Sequence, residues 1–432
     1  ETVGSYTENT SGEQFTLQYG ISSIVSATNE ETGDSLNVTI VNSSEGIVEL
    51  QENQTEYGNI LIEYELASDV YKGFDPIGNF AKGENNFTGT LNGNGHTISN
   101  LHVHRTNTYT GLFGITNSAT IANLELSNST SKGRFAGLLA GRMTGSGTIQ
   151  NISLTGGNTE SIKDGGSLTP EIDGDITVSN ISSSSTVDAG DEVSGGLIGA
   201  IDSNGVLQDS TFSGAVTGEK TVGGAVGEVK SGTVTNVSVS GSSNTRGSTV
   251  GGVVGDNNGT ITASEFTGQI NTTGNATSNV GGIAGTNSSE ISKSKVTTTV
   301  LGEGEIALGG IVGTNSGDVI NSYTTGDVTL TNGDSFATVG GVAGTGGTVT
   351  TSYATGNISA PASNYVGGVI GRFGSQTDSY WDTESTGQTT SANDSVGLTT
   401  SQMQGSSASS NMSNFDFTNT WTTTQGYPEL QE

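Results

Sequence analysis

Two histidines stand two residues apart in the segment LHVHR, a spacing that places their side chains on the same side of a β-strand. His102 and His104 could bind a metal ion there, because imidazole is a common transition-metal ligand. A metal site needs three or four such ligands, but the chain has no cysteine and only one other histidine, His96. We therefore interpret all three as surface histidines and predict no metal site and no cofactor.

Carboxylates are the other candidates for chemistry, because polysaccharide-cleaving enzymes use pairs of them as acid and base. The acids that could form such pairs are scattered along the chain, at Asp173, Asp175, Asp256, Asp327, Asp382 and Glu384. Turn and capping roles explain the last two better than catalysis. No D-x-[DN]-x-[DN]-G calcium loop and no nucleophile elbow are present. We predict that the protein is not an enzyme, and a polysaccharide-active enzyme is the less favoured alternative.

A Gly-Gly-apolar-x-Gly anchor recurs through most of the chain, and it must position these residues. Its second glycine, or the matching residue of a degenerate copy, falls at Gly111, Gly137, Gly166, Gly196, Gly224, Gly252, Gly282, Gly310, Gly341 and Gly368. Successive anchors are 26 to 31 residues apart. Glycine suits a tight corner or a close backbone approach. A phosphate-binding role is excluded, because no helix pattern and no Lys-Ser/Thr follows.

A second element follows each anchor, as in NGTITASEF and SGDVINSY, and a third short piece such as GQI or GDV comes after it. Each unit thus predicts three short strands joined by turns. Such strands bury their apolar side chains only by coiling and stacking on the next unit. We predict an all-β, right-handed parallel β-helix of about ten 28-residue coils. The predicted inward side chains include Val250, Val253, Ile283, Ile311, Val342, Ile261, Phe266, Val319 and Tyr323.

The two ends differ from the repeats, which span residues 71–372. Residues 1–70 contain alternating runs at 15–19, 35–41, 46–52 and 59–66, with turns at 31–34 and 56–58, and predict a small antiparallel β domain resembling a sandwich. Residues 373–432 hold both tryptophans, Trp381 and Trp421, and predict an aromatic cap over the last coil. A carbohydrate-stacking surface is the alternative for these aromatics.

The charge is strongly acidic, with 43 acidic and 13 basic residues and a net charge of −30. Such a chain repels phosphate backbones, so no nucleic-acid partner is expected. An acidic, lysine-poor surface is typical of proteins that work in high salt, where counter-ions screen the self-repulsion. An ordinary acidic secreted protein is the alternative. No apolar run approaches the roughly 20 residues of a membrane span.

Sixteen N-x-S/T sequons predict an exported, glycosylated chain. The candidate acceptors are Asn9, Asn37, Asn42, Asn53, Asn86, Asn128, Asn151, Asn180, Asn236, Asn258, Asn271, Asn275, Asn287, Asn357, Asn393 and Asn411.

The chain resembles proteins that carry GLUG repeats, from about residue 74 to the end. The lead-in FDPIGNF…LNGNGHTISNLHV, the anchors and the terminator DSYWDTESTGQT…GYPEL carry the resemblance. It implies a large secreted or surface protein, a class that includes adhesins, and no particular reaction. Residues 1–70 lie outside it, with only a weak resemblance to short β domains of archaeal surface proteins.

Two functions follow from this pattern. The favoured one is an extracellular subunit of a cell-surface filament or pilus-like appendage, which polymerises head to tail through its N-terminal domain and has an adhesive role. The alternative is a monomeric adhesin or stalk that binds surface glycans or other cells.

Overall fold

The computed structural model describes residues 2–6, 14–16, 21–29, 32–42, 47–51, 58–66, 73–78, 86–190, 192–245, 248–272, 278–304, 306–333, 336–361, 365–393 and 396–431. They form two compact units, Glu1–Gly73 and Phe74–Glu432. Neither described helix has the length and apolar composition that a membrane crossing requires.

The first unit holds two antiparallel three-stranded sheets. One contains, in spatial order, Thr2–Tyr6, Gly58–Leu66 and Ile21–Asn29; the other contains Gln14–Thr16, Ile47–Leu50 and Val38–Asn42. Val48 and Ile62 are fully buried. The strands at 2–6 and 21–29 were not predicted from the sequence. The predicted turn at 56–58 lies almost wholly outside the described residues.

The second unit is a parallel β-solenoid of about ten turns, as predicted. Its turns pass through sheets called A to D: the first three turns pass through A, B and D, and the later full turns, from Val193 on, pass through all four. Sheet A contains Thr90–Ser99, Thr120–Ser127, Thr148–Thr155, Thr177–Ser183, Val206–Phe212, Thr233–Val239, Thr260–Thr262, Glu265–Phe266, Glu290–Ser292, Lys295–Val296, Asp318–Ile320, Tyr323–Thr324, Thr348–Thr350, Tyr353–Ala354, Ser375–Thr377, Tyr380–Asp382 and Val396–Leu398. Sheet B contains His102–Thr110, Thr130–Ala136, Asn158–Ser161, Thr186–Ala189, Ala215–Gly218, Ser242–Thr245 and Gln269–Thr272, and continues as Val300–Glu303, Val328–Thr331 and Ile358–Ser359.

The anchor contributes to the other two sheets. Sheet C contains Val193–Gly195, Thr221–Gly223, Thr249–Gly251, Ser278–Gly281, Ile306–Gly309, Thr338–Gly340 and Tyr365–Gly367. Sheet D contains Phe113–Asn117, Ala140–Gly145, Thr169–Gly174, Ile198–Ile201, Val226–Val229, Val254–Asn257, Ala284–Asn287, Val312–Asn315, Ala343–Thr345 and Ile370–Arg372. The prediction of three strands per turn therefore holds for the first three turns. It is wrong from Val193 on, where the glycine pair divides the anchor into two strands.

The anchor glycines are required by close packing rather than by an unusual φ. None of the ten has a positive φ. A Cβ on Gly252 would lie 2.1 Å from the Gly282 carbonyl oxygen and 2.4 Å from the Phe266 ring. Only glycine lets adjacent turns approach this closely, so of the two roles predicted for it the structure selects the close approach.

The predicted inward side chains form the core, with one exception. Val253, Ile283, Ile311 and Val342 are all fully buried. Tyr323 was predicted to point inward, but it is in register with Lys295 on the outer side of sheet A. Its neighbour Thr324 is the inward residue, because it is aligned with Val296. The strand pleat overrides side-chain hydrophobicity at this position.

Two buried polar ladders run through this core. Asn257, Asn287 and Asn315 stack one per turn, and each of the first two donates from Nδ2 to the next Oδ1, at 2.7 and 2.8 Å. The second ladder is a column of serines that bond to backbone groups. For example, Ser322 Oγ accepts from the Ser294 N–H at 3.1 Å and donates to the Ile320 carbonyl at 2.9 Å. These bonds satisfy polar groups that would otherwise be costly to bury.

The C-terminal segment closes the solenoid in two ways. Trp381 is buried in the last turn, and its Nε1 donates to the Gln388 carbonyl at 2.9 Å, while Ser391 Oγ accepts from the Ile370 N–H at 2.9 Å. The helices α1 (Thr400–Met403) and α2 (Gly405–Asn411) follow, and then a hairpin of Trp421–Thr422 and Glu429–Leu430.

The remaining aromatics pack against the side of sheet A, not over its end. Trp421 lies 5.7 Å from the Tyr353 ring and 4.8 Å from Phe415, and it is fully buried. The predicted cap over the last coil is therefore wrong for Trp421, whereas Trp381 lies within the last coil itself. Both tryptophans are buried, so neither offers a surface on which a sugar could stack.

Candidate functional surface

The outer face of sheet B carries a row of polar side chains, one per turn. His104, Lys132, Glu160, Asp188 and Thr217 occupy matching positions in five successive strands. The row lines two cavities of about 220 Å³ and 360 Å³, which share Asp188 and share a glycine of the adjoining loop. We call this surface the sheet B groove, and it follows the solenoid axis.

The groove has a defined charge pattern. Lys132 Nζ lies 2.8 Å from Glu160 Oε2, and both side chains are about half exposed. The hydrogen bond from Lys132 lowers the pKa of Glu160, with smaller help from Asn158 and His104. A general acid needs the opposite shift, so Glu160 is not poised to donate a proton.

His102 and His104 lie on one strand, His102–Thr110. His102 Nδ1 is 2.6 Å from Thr130 Oγ1, and burial lowers the pKa of His102, with His104 and Arg105 adding to the effect. His96 lies on the first strand of sheet A, and its Nδ1 is 2.9 Å from the Gly93 carbonyl oxygen. In the part of the chain that the structure describes, no three metal-ligating side chains come together.

Several acids that are far apart in the sequence come together on sheet D. Glu228 and Asp256 are in register on adjacent strands, and Lys230 Nζ lies 2.8 Å from Asp202. Arg142 bridges Glu171 and Asp173, at 2.8 Å from each. Asp173 and Asp256 were interpreted as isolated because the sequence does not show which residues share a column.

Burial is the main cause of the pKa shifts of the carboxylates on this face. It raises the pKa of Glu171, although the positive charge of Arg142 lowers it, and it raises the pKa of Glu228, although Lys230 lowers it. A raised folded-state pKa means that these carboxylates disfavour folding as the pH rises through their titration. Dissolved cations screen only the smaller contribution, which is the repulsion from neighbouring carboxylates such as Asp202.

The predicted glycosylation sites differ in access. Among those described, Asn37, Asn128, Asn151, Asn180, Asn236, Asn258, Asn271, Asn357 and Asn393 are exposed, and Asn86 and Asn411 are partly buried. Asn287 lies in the buried ladder and is 1% exposed. The side chains of Asn9, Asn42, Asn53 and Asn275 lie outside the described residues.

We expect glycopeptide mass spectrometry of native material to find glycan at Asn258 and none at Asn287. Asn258 is an exposed turn residue, whereas Asn287 donates to Asn315 and accepts from Asn257 inside the core. A glycan there would break the ladder and leave amides unpaired. Occupancy at Asn287 in folded protein would contradict the buried ladder, and Asn258 serves as the neighbouring control.

Comparison with known proteins finds a related sequence. No protein-family model matches the chain. The chain is similar to part of Halomucin. The identity to this protein of Haloquadratum walsbyi is 41% over 112 residues, which make up 25% of the present chain and 1% of Halomucin. The match thus covers a quarter of the present chain and a very small part of Halomucin.

A solved structure described as an immunoglobulin A1 protease of Bacteroides ovatus aligns with 79% of this chain and 76% of that chain, at 15% identity. Its TM-score of 0.27 carries no argument about function. Because no family model matches, membership of the GLUG-repeat family stays a prediction.

Proposed function

We propose that the protein is an extracellular structural subunit of the cell surface, which assembles head to tail with copies of itself and has an adhesive role. The similarity to Halomucin, from a halophilic archaeon, supports a surface location in high salt. The GLUG-type anchors and the sequons are consistent with a surface glycoprotein. We expect no catalytic activity, and the sheet B groove supports adhesion instead.

The open first turn of the solenoid is the observation that carries the assembly proposal. Among the described residues, Thr90–Ser99 pairs with a strand on one side only. Its core-facing Leu91 and Ile98 are only partly buried, whereas the equivalent Ile121 and Leu126 of the next turn are fully buried. An unpaired edge above partly exposed apolar side chains is a template for a further strand. We propose that a second copy supplies it.

Ile77→Glu is expected to weaken self-association at least about tenfold, because it places a charge on this apolar end. Ile77 is 44% exposed beside the first strand of sheet D, and Leu301, also 44% exposed, lies on the side of the solenoid. Leu301→Glu is therefore the matched control, with association unchanged. Light scattering and electron microscopy in molar salt measure both.

Regular fibres from the wild type, lost in Ile77→Glu and kept in Leu301→Glu, would support the proposed head-to-tail assembly. Monodisperse wild-type protein at high concentration would contradict it. Binding on a glycan array by such a monomer would favour the alternative, a monomeric adhesin or stalk. Release of sugar from a polysaccharide would support the enzyme and contradict our expectation.

A further inference from the structure

The last turn of the solenoid exposes a cluster of two aromatic rings and an arginine. Tyr365 begins the last strand of sheet C, and Arg372 ends the last strand of sheet D. The guanidinium carbon of Arg372 lies 4.0 Å from the Tyr365 ring centroid and 4.4 Å from that of Phe373. Phe373 is 63% exposed and Tyr365 40%. We call these three residues the terminal clamp.

Phe373 is held in a conformation that its residue type rarely adopts. Its φ is +56°, in the left-handed region, where a bulky residue is an outlier. Thr345 is in register with Arg372, so the residue matching Phe373 one turn earlier is Gly346, with φ +78°. Glycine fits this turn without strain. A strained and exposed aromatic ring therefore indicates a role outside folding.

Arg372 also differs from most other described cations. Lys132, Arg142 and Lys230 each lie close to a carboxylate of their own chain. Arg372 makes no ion pair with any residue that the structure describes. Stacking on the rings orients the guanidinium, and its N–H groups can still donate to a carboxylate.

We propose that the terminal clamp binds a second copy of this chain, with a carboxylate of that copy against Arg372. This rests on the assembly proposed above and assigns the contact at the other end of the solenoid. The chain carries 43 acidic residues, so a second copy presents many carboxylates. Tyrosine, phenylalanine and arginine are enriched at interface centres. A contact between unlike ends generates an open filament.

Sedimentation and light scattering in molar salt test the clamp with three variants. Phe373→Gly and Arg372→Gln are expected to weaken self-association about tenfold or more. Arg134→Gln is the matched control, because Arg134 is exposed and lies 5.4 Å from the Phe135 ring on the side of the solenoid. The Phe373→Gly midpoint of thermal unfolding should equal or exceed that of the wild type, since strain is relieved.

Three results would overturn the clamp. If the folded Phe373→Gly and Arg372→Gln proteins associate like the wild type, the terminal clamp is wrong and the proposed assembly still stands. A wild type that stays monomeric at all concentrations would remove both proposals. A monomeric wild type that binds alginate, with binding lost in Arg372→Gln, would assign the cluster to acidic glycans instead.

Discussion

Gly251→Ala is expected to lower the free energy of unfolding by about 4 kcal/mol. A Cβ at this position would lie 1.7 Å from the Val254 carbonyl oxygen and 2.9 Å from the Gly285 backbone nitrogen. Both contacts are with backbone in paired strands, so relief requires breaking inter-turn hydrogen bonds on both sides. Denaturant unfolding followed by circular dichroism measures the loss.

Gly426→Ala is the matched control for this substitution. The nearest atom to a Cβ there is Thr424 Oγ1 at 3.6 Å, an ordinary contact, and Gly426 has no positive φ. We expect its stability to stay within about 0.5 kcal/mol of the wild type. If Gly251→Ala were as stable as Gly426→Ala, the close stacking of the anchors would be wrong.

Asp382→Ala is expected to destabilise the C-terminal segment by about 3–5 kcal/mol. The buried carboxylate accepts from the Glu384 N–H at 2.8 Å, the Ser385 N–H at 3.2 Å, Thr400 Oγ1 at 2.6 Å and Tyr427 Oη at 2.5 Å. Truncation leaves four donors without their acceptor. Because Trp421 is buried in the same segment, a red shift of tryptophan emission at lower denaturant concentration reports the loss.

Asp416→Ala provides the control within the same segment. Asp416 also accepts from backbone, at Thr418 and Asn419, but its side chain is exposed, so water replaces the lost partners. A change within about 1 kcal/mol is expected. Equal losses in the two variants would show that burial of Asp382 is not what matters.

The stability of the C-terminal segment is also expected to fall in acid because of Asp382. Burial acts to raise its pKa, but the hydrogen bonds from Thr400, Tyr427 and two backbone N–H groups outweigh it and lower the pKa. The folded-state pKa thus lies below the unfolded one. The stabilisation is complete above the unfolded pKa and is lost as the pH falls through the folded pKa. The emission shift of Trp421 on acidification should be absent from Asp382→Ala, whose segment is already weakened.

Spacing and residue type were enough to predict the solenoid. Val253, Ile283, Ile311 and Val342 recur at a nearly constant interval, and repeats too short to bury their own apolar face must stack. The same logic failed for Tyr323. A tyrosine and a threonine were adjacent, and only the pairing with Lys295 and Val296 decides which one faces the core.

The functional surfaces were harder to predict, because each depends on residues that are distant along the chain and adjacent only between turns. Lys132 and Glu160 look unrelated along the chain, yet they form one ion pair in the sheet B groove. Nothing in the segment GRFG indicates that Arg372 and Phe373 meet Tyr365. A signal was available for the buried ladder, since asparagine recurs at 257, 287 and 315, five residues after three successive anchor glycines.

The sequence by itself determined the repeat, the all-β class and the acidic character, because periodic apolar residues and total charge do not depend on how turns are aligned. The tertiary structure decided which polar residues share a face, where an anchor divides into two strands, and which aromatic rings are buried or exposed. Those properties follow from the register between turns, and a shift of one residue exchanges the inside of a strand for its outside.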